Sequence, residues 1–514
     1  MRAGLRRGRW RRVAPALIVA TTLAGLAVVV VATPAAAVTG TLTVTTLDRT
    51  GHAVRTQIGA VSVPTGGEDF FWTGAARRLP QGVYDIYAAI PTPSVGADTV
   101  GVRRIRVSGT THVTIDARHG RAVRGYLRPA APPGFMKTTA VWLCTADGSV
   151  VVGGFASDGP AYVIPSALPE VEFAFSSVWS AQDADDHGAT YYAGAALHRK
   201  GAPAGITRTF RQSSLTQLMV KGRTGLQSGE AQVDVRFAPP DVCRGVTLQL
   251  FPQATLPYTL TMHLPPGPWS VSQFAQDSFY GPARRYAARR SYTVTVGAAA
   301  WGPSGTPPFV DQYCRCLVPN RIMFADPALP SGAQSRVTYT LVRRGVAIAS
   351  KTIDPDQGTF APKLPAAGWY TLNEVGVRHP INPLPANVLS PRSMLRWRFY
   401  VDPGRDTHIG GFVTRFIPRP LTAANRARTT TTVVALKLLR ENVPAAERDA
   451  VKSVSMWMSA DGGHAWHALH VRHVNGNRSA TVTNPSSGYV TLRAKVVDVN
   501  GNAVTTTIWR AYAS

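Results

Sequence analysis

Acidic side chains are scarce in this sequence: 29 aspartates and glutamates stand against 55 lysines and arginines in 514 residues, a formal net charge of +26. A surface so short of negative charge has little to offer cationic partners and favours anionic ones. Long apolar runs are missing after residue 31, so nothing beyond the N-terminus is apolar enough to anchor the chain in a bilayer. Several chemistries lack their signatures as well. There is no Gly-x-Ser-x-Gly elbow, no His-Glu-x-x-His pair and no P-loop. Cysteine is limited to four residues, without the paired Cys-x-x-Cys and neighbouring histidines that frame a structural zinc site.

What is present begins with an export leader. Met1 to Arg12 hold six arginines and no acid, Val13 to Val31 form an apolar run, and Ala35-Ala36-Ala37 offers a small-residue cleavage site. Charged, apolar and small-residue regions in that order predict a signal peptide over 1–37 and a mature chain starting at Val38. The protein is therefore expected to be secreted, with no transmembrane helix in the mature part and at most non-covalent attachment to the cell wall. Outside the cell nothing keeps thiols reduced, so Cys144, Cys243, Cys314 and Cys316 are expected in disulfides. If Cys314 and Cys316 share one strand, their side chains leave the same face too far apart for an unstrained bond. The expectation is that each reaches back to Cys144 or Cys243.

The body of the sequence reads as strands. Gly40-Thr-Leu-Thr-Val-Thr-Thr-Leu47 alternates apolar and polar residues, and Asp48-Arg-Thr-Gly51 supplies a turn. Similar short runs recur at Thr138–Cys144, Val171–Phe175, Val337–Arg343, Met394–Val401 and Tyr489–Val497, with 46 glycines and 39 prolines punctuating the chain. Only Asn425 to Arg448 invites a helix, and its Thr429–Val434 run fits a strand better. The fold class is all-β, with serial β-sandwich domains after the leader. So long a chain exceeds one hydrophobic core, and the expected domains are 38–125, 126–302, 303–422 and 423–514. One pattern repeats: Leu79-Pro80-Gln81-Gly82-Val83-Tyr84, Leu264-Pro265-Pro266-Gly267-Pro268-Trp269 and Leu364-Pro365-Ala366-Ala367-Gly368-Trp369. Proline presets each turn, glycine frees it, and the aromatic is expected to carry the next strand into the core.

Three stretches then point to a family. Val44-Thr-Thr-Leu-Asp-Arg-Thr-Gly51, Leu79 to Asp85, and Val107-Ser-Gly-Thr-Thr-His-Val-Thr-Ile-Asp-Ala-Arg118 resemble the prealbumin-like, carboxypeptidase-regulatory-like sandwich beside the protease of secreted actinobacterial subtilisin-like peptidases. Tyr339 to Gly345 and Leu389 to Phe399 are similar to a later part of those proteins. Ser459 to Trp466, Gly488 to Ala494, Asp498 to Asn502 and Arg510 to Tyr512 are similar to their final, Ig-like sandwich. The resemblance is loose over 126–319. It implies the non-catalytic accessory regions without the protease, because the Asp-Ser/Thr-Gly, His-Gly-Thr and Gly-Thr-Ser-Met blocks are missing. His187-Gly188-Ala189-Thr190 is the nearest fragment, and a histidine with no matching serine block reads as a loop residue.

The candidate sites are few. Asp183, Asp185 and Asp186 beside Gly188 could hold calcium, but the loop lacks the closing bidentate glutamate, and a solvated acidic loop is the plainer reading. No cofactor and no catalytic residue is expected. Arg103, Arg104 and Arg106, with Arg284, Arg285, Arg289 and Arg290, are candidates for gripping a polyanion, although charge-protected strand edges explain such runs equally well. Ser459-x-Asp461-x-Gly463-x-x-Trp466 matches an Asp-box, a structural turn. These features favour a secreted, non-catalytic binding or scaffold protein for an anionic cell-wall polymer, a polysaccharide or a protein; nucleic acid is not expected. An extracellular hydrolase with its site in 126–302 is the alternative.

Overall fold

The computed structural model describes residues 38–514 except 146–147, 149, 182–189, 225–228, 238–248, 251, 275–277, 320–321, 327–334, 356–357, 379–387, 442 and 445–449. Among the described residues the chain is all-β, with three short 3-10 turns at Pro93–Val95, Ala117–His119 and Gln212–Ser214. None of their helices is long and apolar enough to cross a membrane.

The first sandwich follows directly from alternation. Strand Thr39–Leu47 buries every second residue and lies between Ala76–Pro80, antiparallel, and Thr110–Asp116, parallel. Facing it are Glu68–Trp72, Gln57–Ser62, Gly82–Thr92 and Ala97–Val107, and the space between is filled by Leu42, Val44, Ile58, Ile86, Ile90 and Val113. Gly82–Thr92 and Ala97–Val107 do not alternate cleanly, because both of their faces are covered. Tyr84, Ile86 and Ala88 enter the first core, while Tyr87, Val100 and Val102 enter a second with Val123, Val141, Leu143, Phe173 and Phe175.

Strands and sheets run across the expected domain limits. The limit at 125 falls inside strand Arg121–Arg128, which pairs with Ala161–Val163 and Ile206–Arg211. A 14-stranded sheet runs on from the first sandwich through Phe135–Thr145, Val171–Ala181 and Thr190–His198 to Tyr258–Leu264, Thr216–Gly222 and Ser291–Val296. Trp301, beside the limit at 302, is fully buried, and the limit at 422 is crossed by pairing of Arg392–Val401 with Ala503–Ala513. Neutral-looking turns in the sequence gave no sign that strands on either side would join one sheet. The C-terminal part is an eight-stranded antiparallel sheet, with Val413–Arg419, Thr431–Leu439, Asn477–Thr483 and Arg472–Val474 as the second layer. Asn425 to Arg448 thus supplies a strand. One apolar cluster extends from Tyr191 to Ala513.

Cys314 is bonded to Cys316, which overturns the expected long-range pairing of that pair. The two do not share a strand: Cys314 sits in a turn ahead of Cys316–Val318, and Arg315 between them has φ +53°. The doubled-back chain brings the Cα atoms to 5.2 Å, inside the range a disulfide spans. Cys144, fully buried, is also disulfide-bonded, and Cys243 lies outside the described residues.

The repeated turn has a shared hydrogen bond. Tyr84 Oη donates to Pro80 O at 2.8 Å, Trp269 Nε1 to Pro265 O at 2.8 Å and Tyr370 Oη to Ala366 O at 2.5 Å. In the third copy the core aromatic is Tyr370, not Trp369 as expected. Each core aromatic follows the glycine by two positions, and strand alternation turns Trp369 outward, 38% exposed.

Candidate anion-binding cleft

A cleft of about 620 Å³ opens between residues 223–299 and the segment 417–428. Its apolar wall is Val271, Tyr286, Val294, Ala299, Ile417 and Leu421, and its charge comes from Arg223, Arg284, Arg419 and Arg428. Four separate pieces of chain deliver these guanidinium groups. Arg223 follows strand Thr216–Gly222, Arg284 opens the short strand Arg284–Tyr286, Arg419 ends strand Val413–Arg419, and Arg428 lies in the loop before Thr431–Leu439.

Asn425 fixes the joint. Its side chain is fully buried and its backbone has φ +52°, a conformation asparagine tolerates better than most residues. Nδ2 donates to Thr224 O at 2.6 Å and Gly297 O at 2.8 Å, while Oδ1 accepts from Ala299 N at 3.0 Å and Arg223 Nη1 at 3.5 Å. Buried Asp326 accepts from Gly297 N at 2.7 Å and Ala298 N at 3.1 Å. The loop beneath Arg223 is therefore held by side chains from distant segments.

The electrostatics are one-sided. Burial lowers the pKa of Arg223, and the charges of Arg428 and Arg419 lower it further against the opposing pull of Asp326. Like charges gathered in a half-buried space are relieved by an anion. Among the described lining residues there is no Asp, Glu, His, Ser or Cys; the hydroxyl groups are those of Thr293, Thr295 and Tyr286. Burial raises the pKa of Tyr286, so it remains a neutral donor. The lining can bind and orient an anion but offers no ready nucleophile and base.

The sequence candidates are scattered by comparison. Of seven arginines, only Arg284 lines the cleft. Arg285 is exposed beside it, Arg289 and Arg290 lie in the turn ahead of Ser291–Val296, and Arg289 N bonds Leu215 O at 3.1 Å. Arg103 donates to Thr114 O at 2.8 Å. Arg104 is spent internally, in a bidentate pair with the buried Asp85 at 2.8 Å and a further ion pair with Glu170. Arg106 is exposed on the same strand. Asp183, Asp185, Asp186 and His187 lie outside the described residues. Arg223, Arg419 and Arg428 were missed because none has a basic residue directly beside it in the sequence, and only folding brings them together.

The Asp-box is a structural turn. Asp461 accepts from Ser459 Oγ at 2.6 Å, from His464 N at 3.0 Å and from Ala465 N at 2.9 and 3.0 Å. The Ser459 hydroxyl first, and these amides with it, hold the carboxyl down at about 2.

No protein-family model matches the chain, and no curated protein matches it. Among solved structures it is similar to "Sidekick-1 immunoglobulin domains 1-5", at 9% identity over 88% of this chain and 91% of that one. The TM-score is 0.10, too low for that likeness to carry any argument.

Proposed function

We propose that this chain is an exported, non-catalytic binding protein that holds an anionic group in the arginine cleft. The observation that carries the reading is the convergence of Arg223, Arg284, Arg419 and Arg428 on a lining with no acid among its described residues. Guanidinium groups present paired N–H donors that match carboxylate, sulfate and phosphate oxygens, and a partly dry wall strengthens such bonds. The leader-like N-terminus and the absence of free cysteines among those described support export. The resemblance to accessory regions of subtilisin-like peptidases supports a role beside an enzyme rather than as one.

The test is calorimetric titration with inorganic phosphate, sulfate and citrate at two salt concentrations. Binding is expected, to weaken with salt, and to fall by about tenfold or more in Arg419→Ser/Arg428→Ser, a loss typical of two charge-assisted contacts. Equal binding by that variant would overturn the site. A serine-reactive fluorophosphonate probe addresses the other half of the reading: labelling at one serine, lost on changing a neighbouring histidine, would overturn the non-catalytic assignment.

A further inference from the structure

The outer face of the eight-stranded sheet carries a second basic surface, separate from the cleft. Its strands are Val346–Ile353, Ser335–Arg343, Gly368–Arg378, Arg392–Val401, Ala503–Ala513, Tyr489–Asp498, Val451–Ser459 and His467–Leu469. They contain two acids, Glu374 and Asp498, and both are fully buried on the inner side. Burial along Arg392–Val401 alternates, with Leu395, Trp397, Phe399 and Val401 in the core and Arg392, Arg396, Arg398 and Tyr400 in solvent. At the far edge, Arg336 is neutralised by Asp354 just beyond the sheet. Arg392, Arg396, Arg398 and Lys495 form no ion pair with an acid among the described residues.

Register places these cations in a lattice. Arg396 is paired with Thr505, and Thr505 with Lys495, so Arg396 and Lys495 share one row two strands apart, roughly 10 Å at the usual strand spacing. Along the strand, Arg396 lies about 7 Å from Arg398 and about 13 Å from Arg392 by strand rise. Three guanidinium groups also lie over indole rings. Arg398 lies 4.1 Å from the centroid of Trp369, Arg392 4.5 Å from that of Trp509, and Arg493 3.6 Å from that of Trp466. A guanidinium already held over a ring loses less freedom on binding than a free one.

We infer that this face is the docking surface for an extended acidic polysaccharide. Charge complementarity selects a polyanion, and the spread of cations over several strands suits a stiff chain with charges at intervals better than one compact anion. Single-stranded nucleic acid is the competing polyanion, but it binds by stacking bases on open aromatic faces. Here arginines lie over Trp369, Trp466 and Trp509. The inference does not depend on the cleft.

The test uses the full chain with polygalacturonate and, separately, an oligo-dT of similar length, with affinity followed by electrophoresis at graded salt. Polygalacturonate is expected to bind the parent protein more tightly than oligo-dT. Its affinity should fall about tenfold or more in Arg396→Ser/Lys495→Ser, as expected for two lost charge contacts, and fall by less in Arg419→Ser/Arg428→Ser. Arg398→Gln, which keeps a planar group over Trp369, repeats the measurement if the double variant is unstable, and should weaken binding severalfold. Equal polygalacturonate binding by parent and face variants, or tighter binding of oligo-dT, would overturn the inference.

Discussion

The N-terminal sandwich and the C-terminal part solve the same problem in opposite ways. Between 39 and 116, a three-stranded sheet closes with one end of the 14-stranded sheet over a core of its own, with Leu42, Ile58, Ile86 and Val113 at its centre. From 191 to 513, successive sheets share one apolar cluster that includes the fully buried Trp301, Trp397 and Tyr512. A private core permits a unit to open alone, whereas a shared core couples its neighbours. The cleft sits on the coupled side, so its geometry depends on segments far apart in sequence.

The largest effect should come from cutting into the shared core. Trp301→Ala removes a fully buried indole and should cost about 3–5 kcal/mol. Amide hydrogen exchange should then show protection falling together across 191–513 and holding in 39–116. Ile86→Ala should do the reverse. If Trp301→Ala loosened only its own strand neighbours, the shared core would be a set of separate ones.

Next comes the joint itself. Asn425→Gly keeps the positive φ but removes the side-chain bonds to Thr224, Gly297 and Ala299. Leaving those buried groups unpaired should cost about 1–3 kcal/mol in denaturant unfolding. Phosphate affinity should fall as well, since Arg223 loses its support. Unchanged stability would show that the two sandwiches do not lean on this residue.

A smaller, matched pair compares the two regions through the same motif. Tyr84→Phe in the private core and Tyr370→Phe in the shared one each delete one hydrogen bond, to Pro80 O and Ala366 O, and each should cost about 1 kcal/mol. Unequal costs in thermal melts would mean that the surrounding core, rather than the motif, sets the value of the bond.

The smallest effect concerns Asp461. Its carboxyl titrates near 2 in the fold against an ordinary 3.8, so its contribution to stability is complete above about pH 4 and lost as pH falls through about 2. The melting difference between the parent and Asp461→Asn should therefore be constant from pH 7 to 4 and shrink below that. A difference that grew on acidification would reverse the sign of the coupling.

Much of this was legible because it is local. Alternation in Thr39–Leu47 names its own buried face, and Ser459-x-Asp461-x-Gly463 forms its turn from neighbouring atoms. The proline–glycine–aromatic motif was visible too, although strand alternation moved the core aromatic from Trp369 to Tyr370. The pairing of Cys314 was misread for lack of one dihedral: a positive φ at Arg315 is not written in the sequence around it. Basic runs were misleading in a similar way, since neighbours on a strand point to opposite faces. Arg103 and Arg104 diverge, and Arg104 is consumed by Asp85.

By itself the sequence determined the all-β class, the polarity of the surface and the turns, because side-chain period, net charge and proline–glycine chemistry act over a few residues or over the whole chain at once. Only the tertiary structure decided which strands share a sheet, which cysteines meet and which arginines converge. Arg223 and Arg428 are 205 positions apart along the chain, yet both line one cleft because Asn425 and the cluster around it hold the two segments together. No local pattern encodes that contact. It is set by the packing of a core that exists only when every strand is in place.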